Sequence, residues 1–252
     1  MNNAIPVLVA ALALGLGACK KEKATAPDPS PATSATMRVA FNLKNGTAPY
    51  TLTTLLTDSA GHKVRFDKVR FYLSAIHLED DNHVTVAEYH EKVFLVDAAN
   101  SSNTFTLGTM APGHVHMTEM HLGLDSATNH QDPMLATAPL NDATMHWGWN
   151  PAAGYKFVVL EGRVDSNVDG LVDSTDQLVE YHLATDALFM MAEAHTHADV
   201  EAGNTYTLQV TVDIGAVAGA RDLLAKPMCH SMGMDMPFAM SLMQAMVLAI
   251  HD

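Results

Sequence analysis

Fourteen histidines and sixteen methionines in 252 residues are the side chains best equipped for chemistry in this sequence. Imidazole and thioether together suit copper in both of its common oxidation states. Two His-x-His pairs stand out, His114 with His116 and His195 with His197. On a strand, side chains at i and i+2 face the same way, so each pair can converge on one metal ion or stay a solvated, hydrogen-bonded pair. A second set of soft donors lies close together in KPMCHSMGMDMP, which supplies Cys229, His230, Met232 and Met234. That run reads as a Cu(I) site or as a loop feeding a methionine-rich helix.

Both tryptophans, Trp147 and Trp149, are two residues apart in MHWGW. Such spacing marks a built site, although either ring could simply pack. The stretch Asp165 to Asp176, DSNVDGLVDSTD, has the form of a calcium loop. Asp165, Asn167, Asp169, Asp173 and Asp176 would donate oxygen, and Gly170 takes the sharp turn. The same residues also make an ordinary acidic hairpin turn.

The elements that must position these groups read mostly as strands. MRVAFNL at 37–43 alternates, as do Val64 to Glu79, Val84 to Ala87, Val93 to Val96, Thr104 to Leu107 and His114 to Leu124. Strict alternation would put His114 and His116 on one face with Met120 and Leu122, and His121 on the other with Met117 and Glu119. Tyr155 to Val164, Leu178 to Leu183 and Thr205 to Ile214 complete the set. Asp125 to Asn141 is a long polar connection of the kind that often carries function. Only the end looks helical, with Pro237 in a first turn and an apolar run to Ile250. The expected fold is all-β, an antiparallel β-sandwich of immunoglobulin-like or related type, with a short C-terminal helix.

Residues 1–18 form an apolar leader ending in Leu16-Gly17-Ala18-Cys19, which reads as a lipoprotein signal peptide with Cys19 as the lipidated residue. Residues 19–36 then form a disordered tether rich in Pro, Ala, Ser and Thr, and residues 37–252 form the domain. With Cys19 lipidated, Cys229 is the one thiol left. The net charge of −14 argues against nucleic acid and for cations. The chain carries no GxSxG, HExxH, phosphate-loop or CxxCH motif. A binding protein is therefore expected, not an enzyme.

VRFYLSAIHLED at 69–80, LVDAA at 95–99, Asn129-His130-Gln131-Asp132-Pro133, PLNDATMHWGWNPAAGYKFVVLEG at 139–162 and Tyr181-His182-Leu183 resemble the MbnP-like proteins, the methanobactin-associated copper-binding family. The HSM…MP stretch from His230 to Pro237 fits as well. The resemblance implies a periplasmic or cell-surface copper-binding β-sandwich. It implies a MauG-like dihaem peroxidase as partner, which oxidises Trp147 or Trp149 to kynurenine and so completes the copper site. It adds His130 and His182 to the candidate ligands. A close branch of the family carries four cysteines; this domain keeps only Cys229, so no disulfide carries over. Without the resemblance, the same residues describe a calcium-stabilised surface sandwich with a structural or adhesive role.

Overall fold

The computed structural model describes Met1, residues 32–150 and residues 153–252. The expected signal peptide, Cys19 and most of the tether lie outside the described residues. Residues 32–252 make one compact unit. Its strands are β1 (Ala35–Asn45), β2 (Ala48–Pro49), β3 (Leu56–Thr57), β4 (Lys63–Glu79), β5 (Thr85–Asp97), β6 (Thr104–Met110), β7 (Gly113–Leu122), β8 (Lys156–Val164), β9 (Gln177–Ala184), β10 (Met190–Val200), β11 (Thr205–Asp213), β12 (Met228–Cys229) and β13 (Ile250–His251). The helices are α1 (Ser126–Asn129), α2 (Ile214–Gly219) and α3 (Met236–Leu248).

The smaller sheet runs β13-β11-β1-β2, with β6 also paired to β1; the larger runs β10-β7-β4-β8-β9-β12, with β3 and β5 also on β4. Inward residues of both sheets join one core, including Met37, Val39 and Phe41 from β1 and Phe71, Leu73 and Ile76 from β4. The β-sandwich expectation holds, and its purely antiparallel form does not. β1 pairs β11 in parallel, as β12 does β9. Helix is also not confined to the end, since α1 and α2 are helical too. α3 buries Ala239, Leu242, Met243 and Met246, the i, i+3, i+4, i+7 stripe of a packed helix. Met243 and Met246 are therefore core residues.

β4 organises the larger sheet because it is long enough to serve two partners along one edge. β8 pairs with its first half, from Val64 to Phe71. β7 pairs with its second half, from Leu73 to Glu79. β7 ends opposite Leu73 and β8 reaches Phe71, so residues 123–155 leave and return at neighbouring points on β4. That excursion contains both tryptophans.

One group of donors is a structural clasp. Asp58 is buried, and its carboxylate accepts the backbone N–H groups of Ala60, His62 and Leu223 and bonds the His62 ring. Burial alone would push the Asp58 carboxyl up; the hydrogen bonds outweigh it and hold the carboxyl below the usual range. The Asp58 hydrogen bond in turn raises His62. A lowered acid stabilises the fold above its unfolded value of about 3.9 and loses that effect as pH falls through the folded value. A raised histidine stabilises below its unfolded value of about 6.5 and loses that effect as pH rises through the folded value. The pair therefore contributes most between about pH 4 and 6.5. Urea unfolding of Asp58→Asn across pH is expected to show the largest deficit against the parent in that window. A deficit independent of pH would contradict the ionic part of this account.

Candidate metal centre

Three strand partners build one site on the outer face of β8 and β9. In β9, Glu180 and His182 share that face, while Tyr181 between them points into the core. Glu161 of β8 is opposite Glu180, and Val159 is opposite His182. The short parallel strand β12 puts Cys229 beside Tyr181, so the next residue, His230, comes alongside His182. Buried Ser231 fixes that position. Its hydroxyl donates to the carbonyl of His182 and accepts the N–H of Ala184.

The His182 and His230 rings stack at 5.5 Å and 17°. Trp147 lies edge-on to both, 5.4 Å from His182 and 5.7 Å from His230. The three aromatic rings thus form a near-equilateral triangle. Glu161 Oε1 is 2.8 Å from His182 Nε2, and Lys68 donates to the other oxygen of Glu161 at 2.6 Å. A carboxylate that accepts from one ring nitrogen sets the tautomer and leaves the lone pair of the other nitrogen free. That other nitrogen, Nδ1, is buried and has no hydrogen-bond partner. Glu180 Oε1 lies 3.4 Å from it and 3.2 Å from His230 Nε2. Glu180, His182 and His230 each offer a ligand atom within 4.8 Å of the others. Burial pushes His182 down, against the Glu161 hydrogen bond, and so favours the neutral ring that a metal requires.

The tryptophan loop is clamped from several sides. The backbone N–H of Trp147 donates to the Gly154 carbonyl, and its backbone carbonyl accepts from the N–H of Asn150. Lys156 Nζ sits 4.9 Å from the Trp147 ring centroid and donates to the Thr144 carbonyl. Arg70 reaches Asp142 at 2.6 Å and Thr144 at 2.8 Å. Fully buried Asn129 accepts from Tyr155 N–H and donates to Asp186. Gly154 has φ +71° and packs so closely on Asn129 that a Cβ there would meet its side chain and its carbonyl. The two tryptophans then part company. Trp147 is 4% exposed and Trp149 is 69% exposed, their rings edge-to-face at 5.4 Å.

A family model described as MbnP matches residues 34–231. The chain belongs to the MbnP family. Among solved structures, MbnP from Methylosinus trichosporium superposes with a TM-score of 0.52 over 82% of this chain and 87% of that one, at 17% identity. At that identity the likeness speaks for the fold. No curated protein matches the chain.

Within this family member, the expected site residues are only partly brought together. His182, His230 and Trp147 meet. His130 does not join them; it faces Asp186 at 3.3 Å and lines a separate cavity of about 480 Å³ with Asp132, Met134 and His146. The soft-donor run divides. Cys229 is buried and its thiol donates to the Asp235 carbonyl, while Met232 and Met234 are 40% and 97% exposed. The alternation of β12 sends Cys229 inward and His230 outward, so the run cannot act as one site. Burial pushes the Cys229 thiol up, which keeps it protonated and inert.

The acidic loop is accounted for by its own backbone. Asp165 accepts the N–H groups of Val168, Asp169 and Gly170, and Asp176 accepts those of Ser166 and Asp173. Asp169 and Asp173 accept from Leu171 and Thr175. Asn167 donates to Asp169 and accepts from its N–H. The loop is absent from the groups of donors that converge within 4.8 Å among the described residues.

His114 and His116 face outward with Glu119 and His121, while Met117, Thr118, Met120 and Leu122 are buried. The face expected from strict alternation is therefore wrong for one half of the strand, which changes phase at Met117/Thr118. Its partner β10, where His195 and His197 also face outward, carries a register shift between His195 and Ala198. His146 is buried, with its ring edge-on to Tyr155 at 4.9 Å. Glu161, Glu180 and Lys156 were not foreseen. Only the strand register reveals them.

Proposed function

We propose that this chain binds copper at the Trp147–His182–His230 centre, as a binding protein and not an enzyme. The observation that carries this reading is the buried, unpartnered Nδ1 of His182, beside His230 and under the Trp147 ring. Two neutral imidazoles are good copper ligands, and Glu161 orients one of them as metal-bound histidines are usually oriented.

The indole of Trp147 explains why a modification is needed. Its N–H is a donor only and has no lone pair for a metal. Oxidative opening of the ring by a MauG-like dihaem peroxidase, with two equivalents of peroxide as oxidant, would give N-formylkynurenine and water, and hydrolysis would then release the formyl carbon as formate and leave kynurenine, whose aryl amine has one. Trp147 is the ring beside both histidines, so it is the residue converted. Trp149 stands outside at the surface, where the peroxidase would approach and electrons could pass through the edge-to-face pair. Cys19 would carry the lipid that holds the domain at a bacterial membrane, in the periplasm or at the cell surface. No helix among the described residues is long and apolar enough to cross a membrane. The alternative of a calcium-stabilised structural or adhesive sandwich rests on the acidic loop, and backbone hydrogen bonds already account for that loop.

Peptide mass spectrometry of residues 138–162 after co-expression with the peroxidase tests this reading. The kynurenine mass is expected on residue 147, is lost in Trp147→Phe together with tight copper binding, and is retained at 147 when Trp149 is made phenylalanine and the reaction is driven long enough. Tight copper binding by protein with an unmodified Trp147 would overturn the kynurenine step.

A further inference from the structure

The second histidine cluster is remote in strand order from the tryptophan centre, and its chemistry is different. β7 and β10 are neighbours in the larger sheet, with Met117 opposite His195 and Val115 opposite Ala198. The extra residue in β10 leaves His195 and His197 facing outward over the outward His114 and His116. Beneath it, the buried Thr118 and Thr196 hydroxyls hydrogen-bond at 2.7 Å and hold the bulge closed.

The rings are close enough to share an ion. His116 is 4.8 Å from His197 and 5.2 Å from His195, and His114 is 6.1 Å from His197, centroid to centroid. His114, His116 and His197 each offer a nitrogen within 4.8 Å of the others. Asp199 sits 2.8 Å from His114 Nδ1, the orienting arrangement of a metal-bound histidine, which leaves Nε2 free. Asp81, on the turn between β4 and β5, places one oxygen 3.4 Å from that Nε2 and the other 3.2 Å from His116 Nδ1. His116 Nδ1 is itself buried and makes no hydrogen bond, Asp81 lying off its bonding direction. Two imidazoles from one strand, a third from the next and a carboxylate between two of them give three nitrogens and one oxygen, with no thiolate or thioether.

We infer that His114, His116 and His197, with Asp81, form a second metal site that takes a borderline divalent ion, Zn²⁺ or Cu²⁺. A donor set of three imidazoles and one carboxylate is suited to these ions and poor for Cu(I), which favours softer ligands. His195 is within reach as a further imidazole. The inference stands apart from the copper reading, since no residue is shared with the tryptophan centre.

Zn²⁺ titration by competition against a chromophoric chelator tests it, on the protein as expressed without the peroxidase. The parent is expected to bind Zn²⁺, and the double variant His116→Ala/His197→Ala to bind it more than about 100-fold more weakly, beyond the 10- to 100-fold typical of losing an orienting partner. Asp81→Asn is expected to weaken it by at least about tenfold. The titrations are run in a His182→Ala background, so that the Glu180–His182–His230 group does not compete for Zn²⁺. His197 is exposed and His116 partly buried, and matching urea midpoints would establish that the double variant is folded; Asp81→Asn supplies a second readout on a turn. Equal Zn²⁺ affinity in that background with and without the double change would overturn the site. Failure of copper binding at Trp147 would leave these results unchanged.

Discussion

His182→Ala is expected to lower copper affinity by more than about 100-fold, and Glu161→Ala by about 10- to 100-fold. The difference follows from what each residue does. His182 presents a buried nitrogen with no other partner. Glu161 only holds the opposite nitrogen, 2.8 Å away, and so fixes the tautomer and the ring plane. Without Glu161 the ring can turn and either nitrogen can carry the proton, but the ligand remains. His230→Ala should resemble His182→Ala more than Glu161→Ala, because its ring is the second imidazole of the triangle. Competition titration with a Cu(I) chelator measures all three. Equal losses for His182→Ala and Glu161→Ala would mean that the pair acts only by shaping the site, and an unchanged His182→Ala would remove it as a ligand.

Gly162→Ala is expected to destabilise the fold by about 3 kcal/mol or more, at or beyond the upper end of ordinary overpacking. A Cβ on Gly162 would collide with the Arg65 carbonyl oxygen and come within 2.7 Å of Phe66 Cα. Both are backbone atoms of β4, next to the register shift between Phe66 and Lys68, so no side chain can rotate out of the way. A domain of ordinary stability has about 5–15 kcal/mol in total, which makes this one methyl group a large fraction. It also reaches the site, because Glu161 is the preceding residue. Gly148→Ala is the matched control: nothing lies within 4 Å of its Cβ, and a change within about 0.5 kcal/mol is expected even though it stands between the two tryptophans. Urea unfolding of the two variants checks both. Equal small effects would show that the β4–β8 contact relaxes more readily than its geometry indicates.

Local pattern made most strands visible, and the reasons for the misses are local too. Thr205 to Ile214 alternates cleanly and forms β11 almost at the expected bounds. β5 was expected as two short pieces, because the charged run Glu88 to Lys92 interrupts its apolar pattern. The faces of β7 were misjudged because its inward series changes phase at Met117/Thr118, and one change of phase turns every later side chain over. At the site, spacing brought forward the tryptophan pair, the resemblance His182, and the local run of soft donors His230. What joined them was the parallel β9–β12 register, a pairing between segments some fifty positions apart that no spacing rule predicts. The same register explains why Cys229, the most conspicuous soft donor, is a core residue. Glu161 and Glu180 look like ordinary strand carboxylates until β8 and β9 are aligned. The different burial of Trp147 and Trp149 is likewise not legible in the sequence.

Diffraction from copper-loaded, peroxidase-treated protein at the copper absorption edge tests the central claim most directly. The account predicts a strong anomalous peak bonded to His182 Nδ1 and the His230 ring, with the altered side chain of residue 147 as a further ligand, besides any copper in the His114–His116–His197 cluster. A principal copper peak in the His130–His146 cavity or along Cys229 to Met234, with His182 and His230 unligated, would contradict it.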